Sequence, residues 1–244
     1  MALAPLLRPL VDFALPLRCP ACGVVVGDED SFCLSCWNAL EHLDGGCPVC
    51  AAPANEPRYE GEVCGACRAD PPSFDTMRAA VAYGKIARQI ALKLKYGGRT
   101  GLARLIAKAM RRHVRDLDGA LLVPVPLHRG RIWRRGYNQA ALIARGLAQG
   151  DADRLALDAL KRVKPTPVLK NMTPGQRQRA VRGVFRIDER WRARLKGRTL
   201  VLVDDVYTSG ATTRACSSVL KRAGAAEVHV RCWARVIPGE SDDY

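Results

Sequence analysis

One segment, residues 199–213 with the sequence TLVLVDDVYTSGATT, does most to limit the folds open to this chain. Residues 200–203 are all aliphatic, as in a central parallel strand buried on both faces, and Asp204 and Asp205 follow where such a strand emerges. Ligands of open α/β sheets bind at that carboxyl edge. The segment therefore predicts a parallel sheet with a ligand site at the end of this strand.

A loop rich in hydroxyl groups follows the two carboxylates and leads into a predicted helix. Its glycine lets the backbone approach a ligand, and the first helical turn has free N–H groups, so the loop suits one phosphate dianion. The candidate binding residues are Thr208, Ser209, Gly210, Ala211, Thr212 and Thr213. Carboxylates accept hydrogen bonds from vicinal hydroxyls, so the predicted ligand is a ribose 5-phosphate. The alternative is a tight strand-to-helix turn with a capping Thr.

Eight of the ten cysteines form four Cys-x2-Cys pairs in the N-terminal quarter of the chain. They are Cys19 and Cys22, Cys33 and Cys36, Cys47 and Cys50, and Cys64 and Cys67. Each pair can point two sulfurs at one ion, so the spacing predicts two structural zinc ions with four thiolates each. The spacing leaves consecutive and interleaved pairing open, and Fe–S ligation and coincidence are further alternatives.

Disulfides are disfavoured because nothing in the sequence directs the chain to an oxidising compartment, and we expect a cytoplasmic protein. No apolar run approaches the roughly 18 residues of a membrane span, so we expect no membrane insertion. Cys216 and Cys232 lie outside the paired set and are expected to be buried free thiols.

The net charge of +15 is unevenly distributed along the chain. Residues 18–70 carry three basic and nine acidic side chains, a net charge of −6, before any zinc tetrathiolate adds to it. Residues 71–237 carry 35 basic and 11 acidic side chains, a net charge of +24. A phosphate-rich partner is therefore expected on residues 71–237 and not on the cysteine-rich part.

Two segments concentrate the positive charge. Residues 128–138, HRGRIWRRGYN, follow a predicted strand and form a second candidate ligand loop at the same sheet edge. Within it, Arg135, Gly136, Tyr137 and Asn138 can present a guanidinium and backbone N–H groups to a pyrophosphate. The alternative is a solvated basic loop with Trp133 and Tyr137 packed below it. Residues 161–196 hold twelve basic and two acidic side chains, which suggests a long mobile arm.

The order of predicted elements indicates an α/β protein with four parts. Strands are expected at 77–83, 120–125, 154–161, 198–203 and 227–236, and helices at 86–95, 102–114, 137–148 and 212–223. This alternation predicts a parallel sheet covered on both faces. The expected parts are an N-terminal amphipathic helix (1–17), a double zinc ribbon (18–70), the α/β domain (71–237) and an acidic tail (238–244), with Pro71-Pro72 as the boundary between modules.

The motifs together resemble known families. Residues 199–213 resemble the signature of the type I phosphoribosyltransferases. With the four cysteine pairs, LKYGG at 94–98 and VPVPLHRGRIWRRGYNQA at 123–140, the chain resembles a ComF-type protein over nearly its whole length. Members combine a zinc ribbon region with a phosphoribosyltransferase domain and are associated with natural competence, in which single-stranded DNA enters the bacterial cytosol.

The resemblance implies a Mg-dependent enzyme, or a binding protein descended from one, that takes phosphoribosyl pyrophosphate (PRPP). Asp204 and Asp205 would hold the ribose hydroxyls, residues 208–213 the 5-phosphate, and residues 135–138 the pyrophosphate. The arm 162–185 resembles the mobile loop of this fold, although Ala180 stands where members usually carry Asn before Val-x-Gly-x-Phe. Single-stranded DNA and other competence proteins are the implied partners. A noncatalytic DNA-binding protein on the same fold is the rival interpretation.

Overall fold

The computed structural model of the chain describes residues 16–54, 59–166 and 172–237. The expected N-terminal helix falls mostly outside these residues, and the expected acidic tail falls wholly outside them. The cysteine-rich part contains two one-turn helices, α1 (Leu34–Asn38) and α2 (Gly65–Ala69). The strands are β1 (Thr76–Ala82), β2 (Leu121–Pro124), β3 (Leu160–Arg162), β4 (Phe185–Ile187), β5 (Thr199–Tyr207) and β6 (Glu227–Arg235). The remaining α-helices are α3 (Lys85–Tyr96), α4 (Leu102–Met110), α5 (Arg129–Arg135), α6 (Gln139–Ala148), α7 (Pro174–Ala180), α8 (Arg192–Leu195) and α9 (Ala211–Arg222).

The central sheet has four strands in the order β1-β6-β5-β2, and all neighbouring strands are parallel. The aliphatic run Leu200–Val203 of β5 is completely buried in the middle of this sheet. Strands buried on both faces need no polar alternation, which is why the continuous apolar run was informative. The predicted fold class, a parallel α/β sheet preceded by a cysteine-rich zinc ribbon module, is confirmed.

Apolar clusters cover both faces of the sheet. On one face, α3, α4 and α6 bury Ile90, Ile106 and Ile143 against it. On the other face lie α9 and the two-stranded antiparallel sheet of β3 and β4. Cys216 and Cys232 are fully buried within this second cluster, as predicted, and burial raises the pKa of both thiols well above the ordinary value.

Two element predictions were wrong in part. The strand expected at 154–161 is a short 3-10 helix (Ala152–Arg154), an isolated bridge at Leu155 and then β3. The Asp151 carboxylate caps the 3-10 helix through the N–H of Asp153, and a turn in which the Ala159 N–H donates to the Ala156 carbonyl delays the strand to Leu160. The helix expected at 102–114 ends as α-helix at Met110 and continues as a 3-10 turn.

The cysteine-rich module lies along the free edge of β1. The N–H of Leu43 donates to the carbonyl of Ala80 over 3.3 Å, and the N–H of Ala82 donates to Glu41 over 2.8 Å. Further along, Met77 donates to the carbonyl of Val49 over 2.6 Å. The module therefore satisfies hydrogen-bonding groups that an uncovered edge strand would leave open.

Candidate functional site

The eight paired cysteines form two separate clusters. In each cluster all four sulfurs lie within 4.8 Å of one another. The first contains Cys19, Cys22, Cys33 and Cys36, and the second contains Cys47, Cys50, Cys64 and Cys67. Pairing is thus consecutive along the chain, and the interleaved alternative is wrong.

The geometry of both clusters fits a tetrahedral zinc ion. The sulfurs of Cys22 and Cys33 are 3.6 Å apart, and those of Cys50 and Cys64 are 3.7 Å apart. Four sulfurs at about 2.3 Å from one zinc ion would be about 3.8 Å apart, close to these distances. Burial opposes ionisation of Cys19, yet backbone N–H groups of Cys22, Cys33 and Ala21 lower its pKa to about 6. Such N–H donors favour the thiolate form that zinc requires.

The carboxylates of Asp204 and Asp205, here called the acidic pair, lie in β5 beyond the end of its neighbour β2. The last residue of β2, Pro124, pairs with Val203, so the carboxylates follow where β2 has ended. Side chains alternate along a strand, which places Asp204 on the α9 side and Asp205 on the α3 side. The two predicted site residues are adjacent in sequence but belong to opposite faces of the sheet.

Asp205 is locked in an ion pair that the sequence interpretation missed. Its side chain is only 4% exposed, and its Oδ2 lies 2.8 Å from Nζ of Lys95, near the end of α3. Burial disfavours the Lys95 ammonium, but Asp205 and Asp204 outweigh burial and raise its pKa. Lys95 belongs to the motif LKYGG, but nothing in that motif indicates a partner 110 positions away.

Asp204 has a different environment. Burial, and then repulsion by Asp205, raise its pKa to about 8, although Lys95 opposes the shift. Its carboxylate accepts the N–H of Asp205 over 2.9 Å and lines a small cavity of about 40 Å³ with residues 206–213. A carboxyl group that is partly protonated near neutrality can both donate and accept hydrogen bonds, as a sugar hydroxyl requires.

The loop Thr208–Thr213, here called the hydroxyl loop, opens at the N-terminus of α9. Gly210 has φ 73°, and a Cβ at this position would lie 2.3 Å from the Tyr207 hydroxyl, so the position demands glycine. Gly210 is also the N-cap of α9 and no side chain caps the helix, so the capping Thr of the alternative interpretation is absent, although β5 does turn into α9 within three residues. The hydroxyl of Thr213 donates to the Gly210 carbonyl over 3.0 Å. The first-turn N–H groups of α9 receive no side-chain cap, so this helix N-terminus suits an anion.

The segment 128–138 is mostly helical and not a loop. Residues 129–135 form α5, and Gly136 ends it with φ 83°. Asn138 caps α6 through its side-chain oxygen and donates its amide to the Val125 carbonyl over 3.0 Å. Its side chain thereby has a structural role at the carboxyl end of β2.

Residues 135–137 pack against the end of α3. Arg135 donates to the side chain of Gln139, and its guanidinium lies 5.3 Å from the ring centroid of Tyr96. The Tyr137 hydroxyl donates to the carbonyl of Leu94. Tyr137 is thus packed as the alternative interpretation expected, whereas Trp133 is 92% exposed and is not. Two sequence motifs, LKYGG and RGYN, meet beside the acidic pair through these contacts.

The two ends of the arm 162–185 also lie near the carboxyl edge of the sheet. Arg162 donates to the Thr166 hydroxyl and packs on the Phe185 ring, and Arg131 of α5 donates to the Thr166 carbonyl over 3.4 Å. Burial and the charge of Arg131 lower the pKa of Arg162, while Asp204 opposes this. The described parts of the arm contain helix α7, which begins at a capping box between Thr173 and Gln176. Residues 167–171 lie outside the described chain.

A cationic groove of about 470 Å³ separates α9 from the end of the arm and the linker after α2. Its arginines are Arg179, Arg182, Arg214 and Arg222. Arg214 is paired with Asp70 over 2.9 Å. The groove brings the arm's positive charge alongside the helix that carries the hydroxyl loop.

The architecture defines a class of protein: a double zinc ribbon joined to a parallel α/β domain whose sheet edge carries an acidic pair and a hydroxyl loop. The family model "Double zinc ribbon domain" matches residues 10–68. The DNA utilization protein YhgH of Salmonella typhi is 30% identical to the chain over 84% of its length and 90% of the relative. Competence protein F of Haemophilus influenzae is 28% identical, covering 89% of this chain and 96% of the relative. Competence protein ComFC of Bacillus subtilis is 25% identical, covering 82% of each. The chain belongs to the ComF family.

No helix in the described ranges is long and apolar enough to cross a bilayer.

Proposed function

We propose that this protein binds PRPP with Mg²⁺ as a phosphoribosyltransferase-type protein and acts on incoming single-stranded DNA in the cytoplasm. The observation that carries the PRPP assignment is the N-terminus of α9, which has no side-chain cap, at the hydroxyl loop, where Asp204 lines the same small cavity as residues 208–213. A phosphate dianion suits the helix terminus and a ribose hydroxyl suits the carboxyl group. The names of the relatives, which refer to DNA utilization and competence, support the DNA assignment.

The proposed roles follow from the environments of the two carboxylates. Asp204 receives the ribose hydroxyls and, in its ionised form, stabilises the positive charge that develops on the sugar when pyrophosphate leaves. Asp205 contributes less directly, because its ion pair with Lys95 holds it in the sheet. Lys95 in turn brings a fixed positive charge to the site, where the leaving group is negative.

The oxygen donors present fit Mg²⁺, a hard cation that prefers carboxylates, phosphate oxygens and water. Asp204 is the carboxylate that would hold it, since Asp205 is already paired. When bound with PRPP, Mg²⁺ would neutralise charge on the departing pyrophosphate. The pyrophosphate end would lie near residues 135–138, where the backbone and Arg135 are the available donors.

The test is pyrophosphate release from PRPP and Mg²⁺ across a panel of acceptors, together with direct PRPP binding. Above about pH 8, where the Asp204 carboxyl is ionised, Asp204→Asn should weaken PRPP binding about tenfold or more, because a hydrogen bond to a charged group contributes about 1.5–3 kcal/mol. Circular dichroism of the variant controls for folding. Unchanged PRPP affinity in a folded Asp204→Asn protein would contradict the role of this carboxylate.

A second candidate function is noncatalytic binding of single-stranded DNA. It is favoured by the exposed Trp133, which lies on α5 among Arg129, Arg131 and Arg134 and is placed to stack on a base. The contact of Arg131 with Thr166 joins α5 to the base of the arm. DNA binding without pyrophosphate release for any acceptor would favour this candidate over the enzyme.

A further inference from the structure

The second zinc cluster is built into the α/β domain through the backbone of its first cysteine pair. The carbonyl of Pro48 accepts from Arg78 over 2.9 Å, and that of Val49 accepts from the N–H of Met77 over 2.6 Å. The carbonyl of Cys50 accepts from Arg235, the last residue of β6. Three successive carbonyls of the turn that presents two zinc ligands are thus held by the sheet.

Arg235 continues this connection to the hydroxyl loop. Its guanidinium lies 5.2 Å from the ring centroid of Tyr207, and both side chains are buried. The Tyr207 hydroxyl in turn lies so close to Gly210 that a Cβ at this position would not fit. One route therefore runs from Cys50 through Arg235 and Tyr207 to the backbone of the loop.

A separate route starts at the other cysteine pair of the same cluster. Cys67 lies in α2, and Asp70 is the C-cap of this helix. The N–H of Asp70 donates to the Ala66 carbonyl over 3.0 Å. Arg214 donates to both the carboxylate and the carbonyl of Asp70, over 2.9 and 2.8 Å. Arg214 belongs to the first turn of α9, and its own N–H closes that turn on the Gly210 carbonyl over 2.8 Å.

The first zinc cluster is attached elsewhere. The carbonyls of Pro20 and Ala21, between its first two cysteines, accept from Lys93 over 2.6 Å and from Gln89 over 3.1 Å. Both donors belong to α3, the helix that carries Lys95. The first cluster thus supports the Lys95 side of the site, and the second supports the hydroxyl loop.

We propose that Arg214 and Arg235 are positioning residues through which metal occupancy of the second cluster sets the geometry of the hydroxyl loop. Loss of metal from Cys47, Cys50, Cys64 and Cys67 releases the Cys50 carbonyl and Asp70 from their fixed positions. The hydroxyl loop and the first turn of α9 then lose the two sets of contacts that hold them, one through Arg235 and Tyr207 and one through Arg214. The coupling itself needs only the contacts above, whereas its effect on phosphate binding rests on the proposed function.

The coupling has a reciprocal consequence. If the metal at the second cluster favours the binding-competent loop, a phosphate ligand in the loop must favour metal retention at that cluster by the same factor. The first cluster, attached to α3, should not respond in this way. Ligand-dependent protection confined to four of the eight cysteines is therefore the distinguishing signature.

The decisive experiment is amide hydrogen exchange on the full-length, zinc-loaded protein without ligand. In the double variant Arg214→Gln and Arg235→Gln, we expect exchange at residues 211–217 to accelerate about tenfold, with zinc content unchanged. The matched control is Arg198→Gln, because Arg198 also donates to a backbone carbonyl, that of Gly119 over 2.8 Å, but at the opposite end of the sheet. If the double variant does not fold, Arg214→Gln alone keeps the test available, since Arg214 is partly exposed. Exchange no faster than in the control would overturn the proposal.

A second measurement separates this inference from the proposed function. Ribose 5-phosphate binding is first measured by calorimetry, and cysteine alkylation in the presence of a chelator is then followed by mass spectrometry. Saturating ribose 5-phosphate should slow alkylation of the second cluster about fivefold and leave that of the first unchanged. Equal slowing at both clusters would contradict a specific coupling. Absence of ribose 5-phosphate binding, with loop exchange still sensitive to Arg214 and Arg235, would refute the proposed function and leave the coupling standing.

Discussion

The cysteine-rich module and the α/β domain are stabilised by different means. Among the described residues of the module, the second cluster's buried core is formed by Cys47, Cys50 and Cys67, while Val24, Val25 and Leu34 are exposed. The α/β domain instead buries two extensive aliphatic clusters on the faces of its sheet. Their charges also differ, −6 for residues 18–70 and +24 for residues 71–237. The comparison indicates that metal ligation stabilises one module and apolar burial the other, and that only the basic module suits a polyanion.

Metal removal should give the largest difference in stability between the two modules. Structural zinc contributes about 10–16 kcal/mol in small domains, so chelation should unfold residues 18–70 while the buried sheet keeps its secondary structure. Elemental analysis of the untreated protein should give two zinc ions per chain. A cooperative loss of all secondary structure on chelation, or fewer than two metals in carefully purified protein, would break the comparison.

Asp205→Asn should destabilise the α/β domain without changing zinc content. The substitution leaves the mostly buried Lys95 ammonium without its partner, at a cost of about 3 kcal/mol in the free energy of unfolding. The measurement is urea denaturation, with zinc quantified in parallel. Lys95→Met combined with Asp205→Asn is the control and should recover part of the loss. No destabilisation by Asp205→Asn would mean that the ion pair is energetically neutral.

Asp204→Asn, unlike Asp205→Asn, should stabilise the α/β domain, and the gain in stability should depend on pH. The folded-state pKa of Asp204, about 8, exceeds the value near 3.9 of an unfolded chain, so the native state holds this proton more tightly. The contribution to stability is complete below about pH 4 and is lost as the pH rises toward 8. Asparagine does not ionise, so the gain in melting temperature over wild type should increase from pH 5 to pH 8. A gain independent of pH would contradict the raised pKa.

The smallest expected effect is on the salt dependence of binding to single-stranded DNA. Neutralising Arg177, Arg179 and Arg182 together should reduce the slope of log affinity for single-stranded DNA against log salt by up to about 0.7 per lost phosphate contact. The matched control is neutralisation of Arg18 and Arg68 in the acidic module, which should leave the slope unchanged. A slope that responds to the control and not to the arm would move the DNA site to the zinc ribbons.

Much of the fold was predictable because its signals are local. The aliphatic run before Asp204 and the regular spacing of the cysteines each depend on a few neighbouring residues, and both predictions are confirmed. The candidate site was predicted less completely. Its residue roles stay predictions, and no local pattern indicates that Asp205 pairs with Lys95, since that contact depends on how α3 packs beside β5.

The errors have the same origin. Residues 128–138 were expected to be a ligand loop because they follow a predicted strand at the sheet edge, but residues 129–135 form a helix that is fixed by a His128 cap and by Gly136 at its end. The strand expected at 154–161 was wrong at its start, where the Asp151 carboxylate caps a 3-10 helix that includes Arg154. In both cases a single side chain hydrogen-bonded to the backbone outweighed the average tendency of the segment.

The position of the cysteine-rich module on β1 bears on the behaviour of the metal-free protein. Residues 76–82, TMRAAVA, form a mostly apolar strand whose outer hydrogen-bonding groups are partly satisfied by residues 41–49. Once the module unfolds, that strand is a template for the same strand of a second molecule. Zinc-depleted protein should therefore self-associate through β1, at a rate that rises with protein concentration, so zinc supply would decide whether newly made chains aggregate.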